Sequence, residues 1–272
     1  MILPIAIAAA IVVLMMIFTG ADGAVSGALA GKARWFARSF ETIGQLPFVL
    51  VVLVAPQLLF FCGKTRAAWV RVLMAVPAFA SSALGAFFAA FQTAMYIHGE
   101  EGFEPKAAMP WLALAALALV AATALVLRRI DRGRLVPARR FALIGLCLVF
   151  ADVLTVETLK NTFGRARPRE IGVDGAVFGR WFELHGKTGR KSFPSGHSAY
   201  AFGAVVWAFL FKEGGAARRK TFRLGLLFGA LTALSRVLIA AHWPTDVTAG
   251  AAITLAYVGV LAVIFKDKER LA

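Results

Sequence analysis

Long apolar runs alternate with short charged stretches along most of the chain. Eight runs predict helices that could cross a membrane: residues 2–18, 47–62, 72–96, 111–127, 141–163, 195–211, 222–241 and 247–265. A membrane-spanning helix needs roughly 17–25 apolar residues, whereas a strand of a membrane barrel needs about half as many. The pattern therefore predicts an all-α fold, a polytopic membrane helix bundle.

The first apolar run, residues 2–18, allows two interpretations. Ala28-Leu29-Ala30 resembles the cleavage site of a signal peptide. However, no basic residues precede the run, and the candidate site lies far beyond its end. These two observations favour a helix that is retained in the protein.

Residues 20–46 are too polar to predict a span. In a helix, Phe36, Phe40 and Ile43 would share one face. The charged residues off that face are Arg34, Arg38 and Glu41. This division is typical of a short helix lying in the membrane interface, and an ordinary polar loop is the alternative.

The composition agrees with a membrane protein. The 272 residues are 60% hydrophobic with a mean hydropathy of +0.74, whereas a soluble domain would be about half apolar. The 30 basic residues against 15 acidic ones could suggest nucleic acid, but cytoplasmic Lys and Arg are the more ordinary source. We therefore predict membrane lipids, and no nucleic acid, as partners. Cys62 and Cys147 lie in apolar runs, which predicts free thiols.

The charges of the loops predict an orientation. The loops at 63–71, 128–140 and 212–223 hold 3, 6 and 5 basic residues against 0, 1 and 1 acidic ones, whereas residues 98–110 hold three acidic residues and one lysine. Basic loops favour the cytoplasm, so we predict a multi-pass protein of the inner (cytoplasmic) membrane. The loop at 164–193 then lies outside, although it holds seven basic and three acidic residues. An anionic substrate would explain this exception.

Three short stretches combine chemistry-bearing residues at the ends of predicted helices. They are Lys160–Pro168, Pro194–His197 and Ser235–Asp246. The predicted topology places all three on the outer side of the membrane. Together they hold cations, two of the four histidines and a carboxylate, which is an inventory that can bind a phosphate, attack it and protonate the leaving group.

Individual residues in these stretches support a functional interpretation. Arg236 lies in an apolar helix, where a charge costs about 2.5–3.5 kcal/mol at mid-depth and needs a partner or a ligand. Ser195 can cap a helix, and Gly196 lets backbone N–H groups approach an anion closely. Asp246 is within reach of the His242 ring and could fix its tautomer. Lys160, Arg167 and His197 would each be ordinary alone.

The motifs Lys-x6-Arg-Pro, Pro-Ser-Gly-His and Ser-Arg-x5-His-x3-Asp resemble the signature of a known family. That family is the type 2 phosphatidic acid phosphatase (PAP2) superfamily, in its membrane lipid phosphatase branch. All eleven signature letters are present in order over residues 72–266. The resemblance implies a six-helix catalytic core at residues 72–272, and residues 1–71 then form an extension with one or two extra transmembrane helices.

The resemblance also implies a role for each motif residue. His242 would be the nucleophile that forms a phosphohistidine, Asp246 its orienting partner, and His197 the general acid. The implied phosphate clamp consists of Lys160, Arg167, Arg236, Ser195 and the backbone N–H of Gly196. No metal and no cofactor are implied, because three cations can neutralise the transferring group.

The implied function is a metal-independent lipid phosphate or pyrophosphate phosphatase facing the periplasm. Lipid A phosphate and undecaprenyl pyrophosphate rank first as substrates because the 164–193 loop is basic, followed by phosphatidylglycerophosphate and phosphatidate. A lipid-to-lipid phosphotransferase of the same fold is an alternative, since the same phosphohistidine serves both reactions. A non-catalytic lipid carrier is a third hypothesis, and the intact His242, Asp246 and His197 argue against it.

Overall fold

The computed structural model describes residues 2–63, 67–98 and 103–266, which contain helices and no β-strand. The α-helices are α1 (Ile2–Phe18), α2 (Asp22–Leu29), α3 (Arg34–Ile43), α4 (Leu46–Cys62), α5 (Ala68–His98), α6 (Pro105–Arg129), α7 (Arg132–Leu135), α8 (Arg139–Phe163), α9 (Gly196–Phe202), α10 (Ala216–Leu238) and α11 (Pro244–Ile264). Three 3₁₀ segments complete the helical structure: Val136–Ala138, Pro168–Glu170 and Gly203–Leu210.

Six stretches of the described chain are long and apolar enough to cross a membrane. They are Arg34–Cys62, Ala68–His98, Pro105–Arg129, Arg132–Glu170, Ala216–Leu238 and Pro244–Ile264. A seventh is present if α1 and α2, which are bent by 89° relative to each other, form one broken span. The predicted all-α membrane bundle is therefore confirmed.

The run predicted to span at residues 195–211 is shorter and less regular than expected. It forms α9, of seven residues, followed by the eight-residue 3₁₀ segment Gly203–Leu210. A 3₁₀ helix rises about 2.0 Å per residue against about 1.5 Å for an α-helix, so the two parts together extend roughly 26 Å. This stretched geometry brings a run of 15 residues close to the ~30 Å thickness of the hydrocarbon core.

The polar stretch after α1 is helical, so the interpretation of residues 20–46 as an ordinary loop was wrong. It forms α2 and α3, and Phe40 of α3 packs against Phe228 of α10 with ring centroids 5.7 Å apart. That α3 lies in the membrane interface stays a prediction.

The centre of the bundle is a buried apolar cluster. It joins α4, α8, the 3₁₀ segment and α11 through Val51, Ile144, Val205 and Leu255. Small residues allow the closest contacts, as is usual between helices in membranes. A Cβ atom on Gly225 of α10 would lie only 2.8 Å from the backbone nitrogen of Val205.

Four helix ends meet where the three motifs lie. α8 and α10 end there, and α9 and α11 begin there. Gly164 ends α8 with φ +56°, and any side chain on it would strike the carbonyl oxygen of Gly186. The loop that follows is tied back to this end, since the backbone nitrogen of Ser192 donates to the carbonyl of Arg165 at 3.0 Å. The charged loop therefore covers the motif end of the bundle.

Some residues used to predict the orientation lie outside the described residues: Lys64, Arg66, Glu100, Glu101, Lys268 and Arg270. The division of the chain at residue 71 stays a prediction. The first 71 residues nevertheless contact the rest of the fold closely, because α1 packs against α11 and α4 packs against α8.

Candidate active site

The three motifs converge at one end of the bundle. A methyl group on Gly196 would lie 3.1 Å from Nζ of Lys160, so the first motif contacts the second. The backbone nitrogen of Ser195 donates to the carbonyl of Asp246 at 3.0 Å, which joins the second motif to the third. The structure thus brings together residues that are up to 86 positions apart in the sequence, from Lys160 to Asp246.

His197 lies within the cluster of cations. Arg236, Lys160 and Arg167 are all close enough to act electrostatically on its ring, and so is His242. All three cations of the predicted clamp therefore surround the predicted general acid.

The helix start at the second motif has the predicted geometry. Ser195 adopts an extended conformation before α9, and its Oγ accepts a hydrogen bond from the backbone N–H of Ser198 at 3.3 Å. The Gly196 N–H is free of helical partners because it lies in the first turn. Such N–H groups together with the helix dipole favour a bound anion.

The ring of His242 is held by the backbone. Its Nδ1 is 2.7 Å from the carbonyl oxygen of Ser192. A carbonyl oxygen can only accept, so Nδ1 carries the proton and Nε2 keeps its lone pair. Among the described residues, no side chain or backbone group hydrogen bonds Nε2, which leaves this nitrogen available to attack.

Asp246 contributes to this arrangement less directly than the family resemblance implies. Its Oδ2 is 3.6 Å from Nδ1 of His242, beyond ordinary hydrogen-bond distance. The same oxygen accepts from the Ser192 hydroxyl at 2.5 Å and from the Trp243 N–H at 2.9 Å. Asp246 therefore fixes the segment that orients His242 and adds a negative charge beside the ring.

Burial, together with the neighbouring cations Arg236 and Arg167, lowers the pKa of His242 to about 4. Asp246 opposes this shift only in part. A neutral imidazole is the nucleophilic form. The ring of His242 consequently stays neutral over a wide pH range.

A buried ion-pair network behind His242 contains two residues that the sequence did not identify, Asp22 and Arg165. Arg165 is fully buried and donates to Oδ1 of Asp246 at 2.6 Å and to Oδ2 of Asp22 at 2.8 Å. Asp22 also accepts from the hydroxyl and the backbone N–H of Thr245, at 2.6 and 3.0 Å. The only sequence signal was the charge of Asp22 directly after an apolar run.

Each clamp cation has a carboxylate neighbour. Lys160 Nζ is 2.8 Å from Glu157, the pair expected from their i, i+3 spacing, and Arg236 Nη1 is 2.8 Å from Glu41 of α3. Arg167 Nε lies 3.8 Å from Glu170.

The clamp also keeps unused hydrogen-bond donors. The Nε atoms of Arg167 and Arg236 are both buried without a hydrogen-bond partner among the described residues. A buried donor without a partner is costly. An anion bound between these guanidinium groups would satisfy both donors.

Two side chains from the N-terminal half contact His197. The Gln45 amide nitrogen is 2.8 Å from Nε2 of His197, and the Tyr96 hydroxyl is 3.1 Å from the same atom. Neither residue was identified from the sequence, because both lie far from the motifs along the chain. Among the described residues, no group of three or more His, Cys, Asp or Glu side chains could hold a metal ion.

Two cavities differ in their relation to the site. A cavity of about 470 Å³ lies near Phe209 and Arg218, at the opposite end of α10 from Arg236. A second cavity of about 380 Å³ lies beside the motif end and is lined by α3, Arg169 and residues 238–240. The second cavity adjoins the predicted phosphate clamp, because its lining includes Glu41, which forms an ion pair with Arg236.

Comparison with known proteins agrees with this geometry. The PAP2 superfamily model matches residues 141–270, which contain all three motifs. The chain is 34% identical over 128 residues to a lipid A 1-phosphatase of Rhizobium johnstonii (strain DSM 114642 / LMG 32736 / 3841). That match covers 45% of this chain and 48% of the relative, so the chain spans about half the length of the curated relative it matches. No solved structure matches the chain.

Residues 141–270 therefore match the PAP2 superfamily, which agrees with the resemblance carried by the three motifs. The matched range begins at residue 141, later than the residues 72–266 over which the motifs suggested the resemblance. The helices before it, including α3 with Glu41 and α5 with Tyr96, nevertheless supply side chains to the site.

Proposed function

We propose that this protein is a membrane lipid phosphatase that acts through a phosphohistidine on His242. The observation that carries the proposal is the site at the motif end. There, neither Nε2 of His242 nor the buried Nε atoms of Arg167 and Arg236 have a hydrogen-bond partner among the described residues. A phosphate group supplies the acceptors that these donors lack, and it presents its phosphorus to the histidine.

The proposed reaction has two steps. Nε2 of His242 attacks phosphorus, the bond from phosphorus to the leaving oxygen breaks, and His197 gives that oxygen a proton. Water then attacks the phosphohistidine, His197 takes the proton from the water, and inorganic phosphate leaves. Lys160, Arg167 and Arg236 neutralise the phosphoryl oxygens throughout, so the proposed chemistry requires no metal ion.

Lipid A phosphate is the first candidate substrate, and the site is proposed to face the periplasm. The relative described as a lipid A 1-phosphatase supports this choice, and so does the basic loop at residues 164–193. Undecaprenyl pyrophosphate, phosphatidylglycerophosphate and phosphatidate are the further candidates. The proposed location is the inner membrane, consistent with several helices long enough to cross a bilayer.

The test uses purified protein in detergent with EDTA and a panel of these four lipid phosphates. We expect phosphate release from at least one lipid, and inhibition by orthovanadate. The substitution His242→Ala should abolish release, and His197→Ala should reduce it by about 10²–10⁴-fold, the usual contribution of a general acid. His185→Ala is the matched control, because His185 is an exposed histidine of the covering loop.

Three results would contradict the proposal. One is no release from any lipid, another is release only after a metal is added, and the third is full activity of His242→Ala. A donor lipid with a labelled phosphate distinguishes a phosphatase from the remaining alternative, a lipid-to-lipid phosphotransferase. Label in a second lipid, rather than in free phosphate, would identify a phosphotransferase.

A further inference from the structure

Helix α3 presents a basic face beside the proposed phosphate site. Arg34, Arg38 and Glu41 are spaced i, i+4 and i+7, which places them on one side of the helix. The opposite side carries Phe40, which packs against Phe228 of α10. Because the aromatic side packs against α10, the charged side of α3 points away from that contact.

The charged side of α3 lines the cavity of about 380 Å³. Arg169, which follows the first motif, and the backbone of residues 238–240 form the other wall. One hydrogen bond joins the two walls, because the Gly31 N–H donates to the carbonyl of Leu238 at 2.8 Å. A second lies within the other wall, where the Arg169 N–H donates to the carbonyl of Ala240 at 3.1 Å. The cavity is thus built from fixed backbone rather than from surface side chains alone.

The cavity carries an excess of positive charge. Arg34, Arg38 and Arg169 line it, and none of them forms an ion pair with a described carboxylate. The one acidic residue in the lining, Glu41, is already paired with Arg236 at 2.8 Å. Three arginine side chains without a carboxylate partner favour an anionic ligand, since guanidinium groups bind phosphate in bidentate fashion.

Glu41 also connects the cavity to the phosphate clamp. It lines the cavity and contacts Arg236, whose side chain is only 5% exposed. Along the axis of α3, the backbones of Arg38 and Arg34 lie about 4.5 and 10.5 Å from that of Glu41, at 1.5 Å per residue. An anion at the Arg34 end of the cavity is therefore farther from a phosphate on Arg236 than the second phosphate of a diphosphate, which is bonded to the first through one oxygen.

We propose that Arg34, Arg38 and Arg169 bind a second anionic group of the substrate head group while the first is at His242. The substrate class is then a lipid with two phosphates at separate positions, such as a disaccharide lipid phosphorylated at both ends. This inference rests on the proposed phosphatase function and narrows it. It places α3, which lies outside the family match, in substrate selection.

The test compares two substrates in neutral detergent. One is a disaccharide lipid with a phosphate at each end, and the other is the same lipid with one phosphate. The measured quantity is the ratio of their kcat/KM values. In the double variant Arg34→Gln/Arg38→Gln, we expect this ratio to fall by about 10- to 100-fold, because charge-assisted hydrogen bonds to one phosphate are lost.

Lys32→Gln is the matched control, because Lys32 is an exposed cation directly before α3 and lies outside the cavity lining. It should leave the ratio unchanged. Residual turnover of the monophosphorylated lipid shows that the double variant is folded. Binding of both lipids to the inactive His242→Ala variant, with and without the α3 substitutions, gives a second measurement that is independent of turnover.

Two outcomes would overturn the inference: an unchanged ratio, or an equal loss on both substrates. An effect seen only in vesicles of anionic lipid, and not in neutral detergent, would also overturn it, because α3 would then bind the bilayer surface. Failure of the proposed function looks different, since the wild-type protein would then release phosphate from neither lipid.

Discussion

At the scale of single residues, the site depends on which polar groups are paired and which are not. The groups behind His242 are fully paired: Arg165 bridges Asp22 and Asp246, and Asp246 holds Ser192. The cations of the predicted phosphate clamp keep hydrogen-bond donors without a partner among the described residues, such as the buried Nε of Arg236. Paired groups fix geometry, and unpaired ones can bind substrate without first breaking an internal bond.

Replacing Arg165 by Met should strongly destabilise the protein. The substitution leaves the buried carboxylates of Asp22 and Asp246 without their cation, and breaking a buried pair in this way costs about 3–5 kcal/mol. Thermal or denaturant unfolding in detergent measures the loss. Arg180→Met, at an exposed arginine of the same loop, should change stability by less than about 0.5 kcal/mol. A similar small effect for Arg165→Met would contradict the proposed role of the network.

The His242 ring should titrate at an unusually acidic pH. Burial lowers its pKa to about 4, so the free enzyme keeps the neutral, nucleophilic ring at pH values where an ordinary histidine, with a pKa of about 6.5, is protonated. A variant carrying His98→Gln, His185→Gln and His197→Gln retains His242 as the one histidine of the sequence. Titration of its ¹⁵N-labelled ring by NMR should give a midpoint near 4, and a midpoint near 6.5 would contradict the prediction.

At the scale of elements, short N-terminal helices complete a site whose motifs lie in the C-terminal half. Helix α2 supplies Asp22, α3 supplies Glu41, and Gln45 lies between α3 and α4. These residues reach the site because α2 and α3 pack against α10 at its motif end. Residues 1–71 therefore help to build the proposed site.

The sequence predicted the convergence of the motif residues but left the supporting residues unidentified, for a physical reason. Apolar runs fix where helices lie, and the three motifs mark helix ends, so convergence of Lys160, His197 and His242 followed from topology alone. Contacts such as Gln45 to His197 join positions 152 residues apart. They depend on how helices rotate and tilt against each other, which hydrophobic patterning leaves undetermined.

Gln45→Leu should slow the chemical step more than it weakens binding. The Gln45 amide contacts Nε2 of His197 at 2.8 Å, and losing one such hydrogen bond should lower kcat by about 2- to 10-fold with little change in KM. Gln92→Leu, at a half-buried glutamine of α5 without a described bond to the site, should have no effect. If Gln45→Leu changed KM alone, its contact would serve substrate binding instead of positioning His197.

At the scale of the whole molecule, the site lies at one end of the bundle and two strongly basic loops lie at the other. The motif end holds the junctions α8 to α9 and α10 to α11, whereas the other end holds residues 128–140 and 212–223. Because basic loops favour the cytoplasm, the site should face away from it. The loop at residues 164–193 is also basic, so its charge alone would favour the cytoplasm. Its contacts with the site give a different reason for its basic residues.

The orientation can be tested with single cysteines. The protein has two native cysteines, Cys62 and Cys147, which are first replaced by alanine, and phosphatase activity then confirms folding. Val177→Cys places a thiol in the covering loop, where Val177 is 72% exposed, and Ala217→Cys places one at the exposed start of α10. In spheroplasts, an impermeant maleimide should label the thiol at position 177 directly and the thiol at position 217 only after lysis. The reverse pattern would place the site in the cytoplasm and would exclude substrates confined to the outer leaflet.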